Sequence, residues 1–194
     1  MLINKNSQEE ELSKKSFFTA KFIDPQAIIE QLDLKKEMTV ADFGSGAGYF
    51  TLPIAKKIED GGKVFALDVV SQKLESVTSQ AKAQGLNNII TKRVNLENPS
   101  GSGLDVESTD CVIMKDVLFQ NKNKNQLMEE AKRILKKGGK ILVVEWNCEN
   151  FSIGPEKSLR INKESVIELA KKNGLNFLRE INAGNFHYGL ILEK

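Results

Sequence analysis

The pattern of hydrophobic positions along the chain switches between two periods. Seven short apolar runs have the composition of buried strands, at 39–43, 63–67, 89–94, 111–114, 140–145, 176–181 and 187–192. Five segments carry apolar residues every three or four positions, as amphipathic helices do, at 25–32, 49–58, 72–84, 125–135 and 163–173. Runs such as CVIM and ILVV are apolar almost throughout, which is typical of parallel strands covered by helices on both faces.

The alternation of strands and helices predicts an α/β fold. The expected architecture is a doubly wound, Rossmann-like sheet of seven mostly parallel strands. Only five residues, 182–186, join the last two strands, which permits a hairpin but not a right-handed crossover. We therefore expect the last strand to be antiparallel. Gly85, Gly138, Gly139 and Gly174 fall where the predicted helices should end, because a helix often ends on a left-handed residue.

The length of 194 residues suits a single α/β core and is too short for two domains of typical size. We expect one domain over 25–194, preceded by a polar N-terminal extension and covering segment over 1–24. The composition, 40% hydrophobic and 28% charged, is that of a globular protein.

The charge balance gives no support for a nucleic-acid partner, and the cysteine content favours one compartment. The chain has 28 Lys and Arg against 26 Asp and Glu, without the basic excess that nucleic-acid binding usually requires. No apolar stretch reaches the roughly 20 residues that span a bilayer, so membrane insertion is not expected. Cys111 and Cys148 lie in or next to apolar runs, which favours reduced thiols and a cytoplasmic location.

The first strand runs directly into a glycine-rich turn, where doubly wound folds bind their ligands. Gly44, Gly46 and Gly48 allow a tight turn and bring a ligand close to backbone N–H groups at a helix N-terminus. The spacing is GxGxG rather than GxGxxG, and Asp42 places an anion beside the turn. An anion repels a pyrophosphate and attracts a cation, so S-adenosylmethionine fits better than a dinucleotide. A turn used only for packing would carry the same glycines.

Two further strand ends carry polar groups suited to a nucleoside. Asp68 ends the second strand, and its carboxylate can accept both hydroxyl protons of a ribose. We expect Ser71 to cap the following helix, leaving Asp68 free, and Val69 to form an apolar wall for adenine. After the third strand, Asn95 can accept from the adenine amino group, or it can form an Asx turn instead.

Four segments together resemble a known family: VADFGSGAGYF, LDVVSQKLESV, STDCVIMKDVLF and RILKKGGKILVVEW. In this order and spacing they are similar to class I S-adenosylmethionine-dependent methyltransferases, of the small stand-alone kind that includes the ubiquinone and menaquinone C-methyltransferases. The resemblance covers 25–194 and implies the strand order 3-2-1-4-5-7-6. It also implies the cofactor S-adenosylmethionine and a cofactor-binding set consisting of Asp42, Gly44, Ser45, Gly46, Gly48, Asp68, Val69, Asn95, Leu96 and Lys115.

Each part of that set has an implied role. Asp42 and the 44–48 turn would hold the methionine end, and the backbone carbonyl of Lys115 would accept from its amino group. Leu96 would donate its backbone N–H to the adenine ring. The chain departs from many of these methyltransferases at Asn95, where they have an acid, and at 119–120, where they often have a histidine pair.

Methyl transfer from a sulfonium mainly requires positioning and desolvation, so no catalytic residue is obligatory. Where a general base is needed, Asp116 and His187 are the candidates; they could equally be a solvated loop charge and a structural histidine. No metal is predicted, since Asp116, Glu145 and Asn147 lie at strand ends but lack the adjacent acid and amide of metal-assisted O-methyltransferases.

The expected partner is a methyl-acceptor substrate, most simply a small molecule, and the sequence does not identify it or the oligomeric state. RNA cytosine methylation would need a thiolate near the site. Cys148 could lie near the site, whereas Cys111 lies at the far end of its strand. The asparagine-proline-proline-aromatic tetrad that is typical of many amino-group methyltransferases is absent after the fourth strand, where the sequence is MKDVLF. Three more functions stay open on this fold: a non-catalytic sensor or partner subunit, a protein methyltransferase and a nicotinamide oxidoreductase.

Overall fold

The computed structural model of the protein describes residues 23–149 and 151–194. In chain order these form α1 (Pro25–Glu30), β1 (Thr39–Phe43), α2 (Thr51–Ile58), β2 (Lys63–Asp68), α3 (Ser71–Ala83), β3 (Ile89–Arg93), β4 (Thr109–Lys115), α4 (Lys124–Ile134), β5 (Leu135–Trp146), a 3₁₀ turn (Lys157–Leu159), α5 (Lys163–Lys172), β6 (Asn176–Ile181) and β7 (His187–Glu193). The predicted N-terminal extension, 1–24, lies outside the described residues except for its last two.

The strands form one sheet in the order β3-β2-β1-β4-β5-β7-β6. Strands β1 to β5 pair in parallel, while β7 is antiparallel to both β5 and β6. The predicted fold class and the reversed last strand are therefore confirmed. The sequence order turns back between β1 and β4, which are neighbours, and the carboxyl ends of β1 to β5 open to the same edge of the sheet.

Apolar side chains cover both faces of the central strands. On one face, Phe43 and Met114 of the sheet belong to a buried cluster with Leu127 of α4. On the other face, Ile113 packs in a second cluster with Ile54 of α2 and with α1. Burial on both faces explains why these strands lack the polar alternation of a half-exposed sheet.

The segment after α4 differs from the prediction that Gly138 and Gly139 end a helix. Helix α4 ends at Ile134, and the next residue already begins β5. The Gly138 N–H donates to the Lys194 carbonyl at 3.0 Å, and the Lys194 N–H donates to the Gly139 carbonyl at 3.0 Å. These bonds join 138–139 to the residue that follows β7. Gly138 has a left-handed φ of 73°, but it lies inside β5 and not at a helix end. Gly85 and Gly174 do follow helices, both with φ of 68°.

Two smaller features bear on the expected environment. Neither Cys111 nor Cys148 forms a disulfide. Among the residues that the structure describes, no helix combines the length and the apolar character needed to cross a membrane.

Candidate functional site

A cleft of about 250 Å³ opens at the carboxyl ends of β1 to β4, beside the point where the strand order reverses. We call it the strand-end cleft. Its lining residues follow four different strands, and they are Gly44, Asp68, Val69, Val70, Lys73, Val94, Asn95, Leu96, Asp116, Val117, Gln120 and Asn121. Parallel strands bring these distant segments together, so five of the ten predicted cofactor residues and one catalytic candidate share one cavity.

The glycine turn needs left-handed residues, and at Gly44 it also has no room for a side chain. Gly44, Gly46 and Gly48 all have positive φ, at 67°, 54° and 93°. A Cβ on Gly44 would lie 2.8 Å from a methyl carbon of Val117, which lines the cleft. The hydroxyl oxygen of Ser45 is buried and has no partner within the described parts of the chain. The turn therefore offers a closely approachable backbone and one unsatisfied polar group.

Asp42 lies beneath this turn and does not line the cleft. Its side chain is 3% exposed, and Thr51 at the start of α2 donates to its Oδ2 at 2.6 Å. Burial raises the pKa of Asp42 to about 7, although the hydrogen bond from Thr51 opposes this shift. The carboxyl joins β1 to α2 and can influence a cation in the cleft through its field.

The Asp68 carboxylate connects the glycine turn to the end of β2. Gly46 N–H donates to its Oδ2 and Val70 N–H donates to its Oδ1, both at 2.9 Å. The prediction that Ser71 caps the helix and leaves Asp68 free is wrong, because the N-cap is Val70 and makes no side-chain cap bond. Ser71 is one residue too late. Each Asp68 oxygen retains a further lone pair, so a ribose can still be bound.

The loop after β3 places Asn95 and Leu96 at the cleft. Asn95 Oδ1 accepts from the Glu97 N–H at 3.0 Å, so Asn95 does form an Asx turn. Glu97 in turn accepts from the Asn123 N–H at 2.9 Å and links this loop to the start of α4. Any contact of Asn95 with adenine would use its remaining amide groups.

The two catalytic candidates lie next to each other, which the sequence did not indicate. His187 Nε2 is 3.4 Å from Asp116 Oδ1, and Lys115 forms an ion pair with Asp116 Oδ2. Asp116 has φ of 55°, a left-handed conformation that is uncommon outside glycine. Burial acts to raise the pKa of Asp116, but its contacts with His187 and Lys115 outweigh burial and lower it. Asp116 therefore presents a carboxylate to the cleft, with the imidazole behind it.

Side chains from β5 support this corner. The Trp146 ring packs against His187 with 4.1 Å between ring centroids. Arg160 lies over the same indole, 5.7 Å from its centroid. Glu145 is fully buried, and its Oε1 accepts from the Leu118 N–H at 2.6 Å, beneath the loop that lines the cleft. Burial raises the pKa of Glu145 to about 8, against the effect of that hydrogen bond.

Several residues that line the cleft are not among those predicted from the sequence, for example Lys73, Val94, Val117 and Asn121. Lys73 carried a usable signal, since it lies in the first helical turn after Asp68, and such turns face the strand ends. In the described ranges, no group of three or more His, Cys, Asp or Glu side chains is arranged to hold a metal ion.

The strand order, the reversed β7 and an acid-and-glycine turn at the switch point define the class I S-adenosylmethionine-dependent methyltransferases. A family model described as "Methyltransferase domain" matches residues 34–184. The chain therefore belongs to this methyltransferase-domain family, and the predicted enzyme class and cofactor, S-adenosylmethionine, are confirmed.

Curated relatives agree with this assignment at low identity. The ubiquinone/menaquinone biosynthesis C-methyltransferase UbiE of Pectobacterium carotovorum is 25% identical over 120 residues, covering 61% of this chain and 47% of that protein. The highly reducing polyketide synthase verA of Penicillium polonicum is 28% identical over 109 residues, covering 56% of this chain and 4% of that protein. The chain thus spans about half the length of the UbiE relative.

Solved structures share the fold. A SAM-dependent methyltransferase from Aquifex aeolicus superposes with a TM-score of 0.81 at 22% identity and covers 98% of both chains. The [4+2]-cyclase SpnF superposes with a TM-score of 0.70 at 18% identity, over 82% of this chain and 59% of that chain. The similarity to a cyclase is consistent with a fold that also carries other chemistry.

Proposed function

We propose that the chain transfers the methyl group of S-adenosylmethionine to a small-molecule acceptor bound in the strand-end cleft. The observation that carries this proposal is the position of the Asp68 carboxylate. It accepts a hydrogen bond from the Gly46 N–H at 2.9 Å and lines a cleft that continues to Asp116. A nucleoside bound to Asp68 would extend along the glycine turn toward Asp116, where the acceptor would meet the methyl group.

The charges around the cleft support a cationic cofactor. Asp68 lines the cleft and accepts hydrogen bonds from the backbone N–H groups of Gly46 and Val70, whereas the second lining acid, Asp116, is paired with Lys115. The field that a cationic cofactor would meet there comes mainly from Asp68. A sulfonium and an ammonium group are attracted by such a field, whereas a pyrophosphate is repelled. In our assignment the methionine end lies along 44–48.

The remaining cofactor contacts follow from the lining of the cleft. Asp68 binds the ribose hydroxyls, while Val69 and Leu96 enclose the adenine from two strand ends. The unpaired Ser45 hydroxyl and the Lys115 backbone carbonyl are the polar groups offered to the methionine end. These roles are the ones implied by the family resemblance.

The reaction needs little covalent participation by the protein. The acceptor atom forms a bond to the methyl carbon as the carbon–sulfur bond breaks, and the sulfonium becomes a neutral thioether. Holding the two reactants in line and excluding water supplies most of the acceleration. The UbiE and polyketide synthase relatives are named for small-molecule biosynthesis, which supports a small acceptor here.

The test is the formation of the demethylated cofactor with three classes of acceptor. Purified protein is incubated with S-adenosylmethionine and a panel of small phenols, quinols and amines, with total RNA, or with denatured protein. We expect product only with members of the small-molecule panel, and none with the Asp68→Ala variant. Turnover restricted to RNA or protein would reject the small acceptor, and bound cofactor without turnover on any class would favour a non-catalytic sensor.

A further inference from the structure

The ends of β4 and β7 contain a concentration of unsatisfied polar atoms. In the described residues, six buried side-chain nitrogen or oxygen atoms have no hydrogen-bond partner. Three of the six belong to one pair of neighbours, Asp116 Oδ1 and the two ring nitrogens of His187. Buried polar groups are normally satisfied, so such a concentration marks a place that is completed by something else.

The geometry of the pair leaves a place for a proton between the Asp116 carboxylate and the His187 imidazole. Asp116 Oδ1 and His187 Nε2 are 3.4 Å apart, longer than a well-formed N–H···O bond. Lys115 holds the other carboxylate oxygen, and the Trp146 ring packs on the imidazole. Both side chains are thereby kept in place with two hydrogen-bonding atoms facing each other. A proton added between them would create a charge-assisted hydrogen bond between imidazolium and carboxylate.

Asp116 is the member of the pair that meets the cleft. Asp116 lines the strand-end cleft, whereas the His187 side chain is 5% exposed and lies behind it under Trp146. A bound acceptor can therefore touch the carboxylate but not the imidazole. Asp116 is the group in contact with the acceptor, and His187 acts through it.

We propose that Asp116 and His187 form a proton-accepting pair, and that the acceptor of this enzyme is one whose nucleophilic atom carries a proton, such as a hydroxyl, an amine or an acidic C–H. This inference rests on the proposed function. In the step, the acceptor X–H bond breaks and an X–CH₃ bond forms as the carbon–sulfur bond breaks. The proton passes by way of Asp116 to the neutral imidazole of His187.

The step conserves charge within the site. The sulfonium loses its positive charge when it becomes a thioether, and the imidazole gains one when it takes the proton. Lys115 and Glu145 are the other ionisable groups that interact with Asp116, and Lys115 keeps the carboxylate ionised to stabilise the imidazolium. Acceptors without such a proton, for example thioethers or tertiary amines, would gain nothing from the pair.

The experiment uses the fact that His187 is the only histidine of the chain, so its imidazole resonances need no assignment. The ¹⁵N-labelled imidazole is titrated by NMR in the complexes with S-adenosylmethionine and with its demethylated product. Because the two ligands differ by one positive charge at sulfur, we expect a midpoint lower by about 0.5 pH units or more with S-adenosylmethionine. A histidine remote from the reacting centre would show no difference.

Variants test the link to Asp116. Asp116→Asn should lower the midpoint of the imidazole titration further, because it removes the carboxylate that faces Nε2. Asp60→Asn, on an exposed turn far from the cleft, should leave this midpoint unchanged. The wild-type comparison stands even where Asp116→Asn does not fold. Equal midpoints with both bound ligands would overturn the pair while leaving the proposed function intact. Failure of both ligands to bind by calorimetry would overturn the proposed function itself.

Discussion

The backbone N–H of Gly46 donates to Asp68 Oδ2 at 2.9 Å, so the residue predicted to bind ribose also holds the glycine turn in position. Its other oxygen accepts from Val70 at the start of α3. One carboxylate therefore joins the ends of β1 and β2 and lies in the cleft at the same time. In the proposed site, cofactor binding and the local structure of the turn are therefore coupled through this side chain.

Replacing Asp68 should weaken cofactor binding strongly. Loss of a charged pair of ribose hydrogen bonds, worth about 2–4 kcal/mol together, raises the dissociation constant of S-adenosylmethionine about 30-fold to 1,000-fold in Asp68→Ala. Asp68→Asn should lose less, because its amide oxygen still accepts one bond. Since two backbone N–H groups also lose their partner in the alanine variant, we expect its unfolding free energy to fall by about 1–2 kcal/mol. Calorimetry and thermal unfolding measure the two effects, with Asp60→Asn as the control. Binding of Asp68→Ala within about threefold of wild type would reject the assigned role.

Asp42 should make the stability of the ligand-free protein depend on pH. Its pKa is raised by burial from 3.8 to about 7, so its contribution is fully present below pH 4 and is lost as the pH rises through 7. Asp42→Asn removes this titration and keeps an oxygen that can accept from Thr51. We expect the stability of wild type relative to the variant to decline between pH 5 and pH 8, by an amount on the order of a few kcal/mol. Denaturant titrations of both proteins at each pH measure this difference in unfolding free energy. A difference that stays constant over that range would contradict the prediction.

Gly44 should tolerate no side chain, for two separable reasons. Its φ of 67° strains any L-residue, and an added Cβ would lie 2.8 Å from Val117 in the cleft wall. Gly85 has nearly the same φ, 68°, but open space around its Cβ position, so Gly85→Ala measures the backbone strain alone. We expect a loss of about 1–2 kcal/mol in Gly85→Ala with unchanged cofactor affinity. Gly44→Ala should lose more and bind S-adenosylmethionine more weakly. Equal behaviour of the two variants would argue against a close contact at the turn.

Turnover should not require a divalent metal. One oxygen of Asp116 is held by Lys115 and one oxygen of Glu145 by the Leu118 N–H, and in the described part of the chain no group of three or more His, Cys, Asp or Glu side chains surrounds them. Activity on the acceptor identified from the small-molecule panel should be the same in a chelator as in added magnesium. Activity that disappears in the chelator and returns with magnesium would assign a metal to the site.

The sequence predicts the sheet well because each strand carries its own signal. A run such as CVIM identifies a strand buried on both faces, and the five-residue link at 182–186 determines the direction of β7. The glycines at 138–139 do not end a helix. Gly138 has the left-handed φ that a helix end would use, 73°, but it lies inside β5, where the pair is hydrogen-bonded to the distant Lys194.

The sequence predicts the placement of several residues that line the strand-end cleft, but not the contacts between them. Asp68 is identifiable because it ends β2, and Asn95 because it follows β3. The hydrogen bond from Gly46 to Asp68, however, depends on the close approach of β1 and β2. The pairing of Asp116 with His187 joins residues that are 71 positions apart and comes from the insertion of β7 beside β5. A single sequence contains no local pattern for such a contact.

The central claim is that the strand-end cleft binds S-adenosylmethionine, a ligand without phosphate, by means of the Asp68 carboxylate and the glycine turn. The most direct measurement is isothermal calorimetry of the wild-type protein with S-adenosylmethionine, its demethylated product and NAD, at the same pH and ionic strength. We expect saturable heats with the first two ligands and none with NAD, because the acidic residues of the site repel a pyrophosphate. Saturable binding of NAD together with no heat from S-adenosylmethionine would contradict the account.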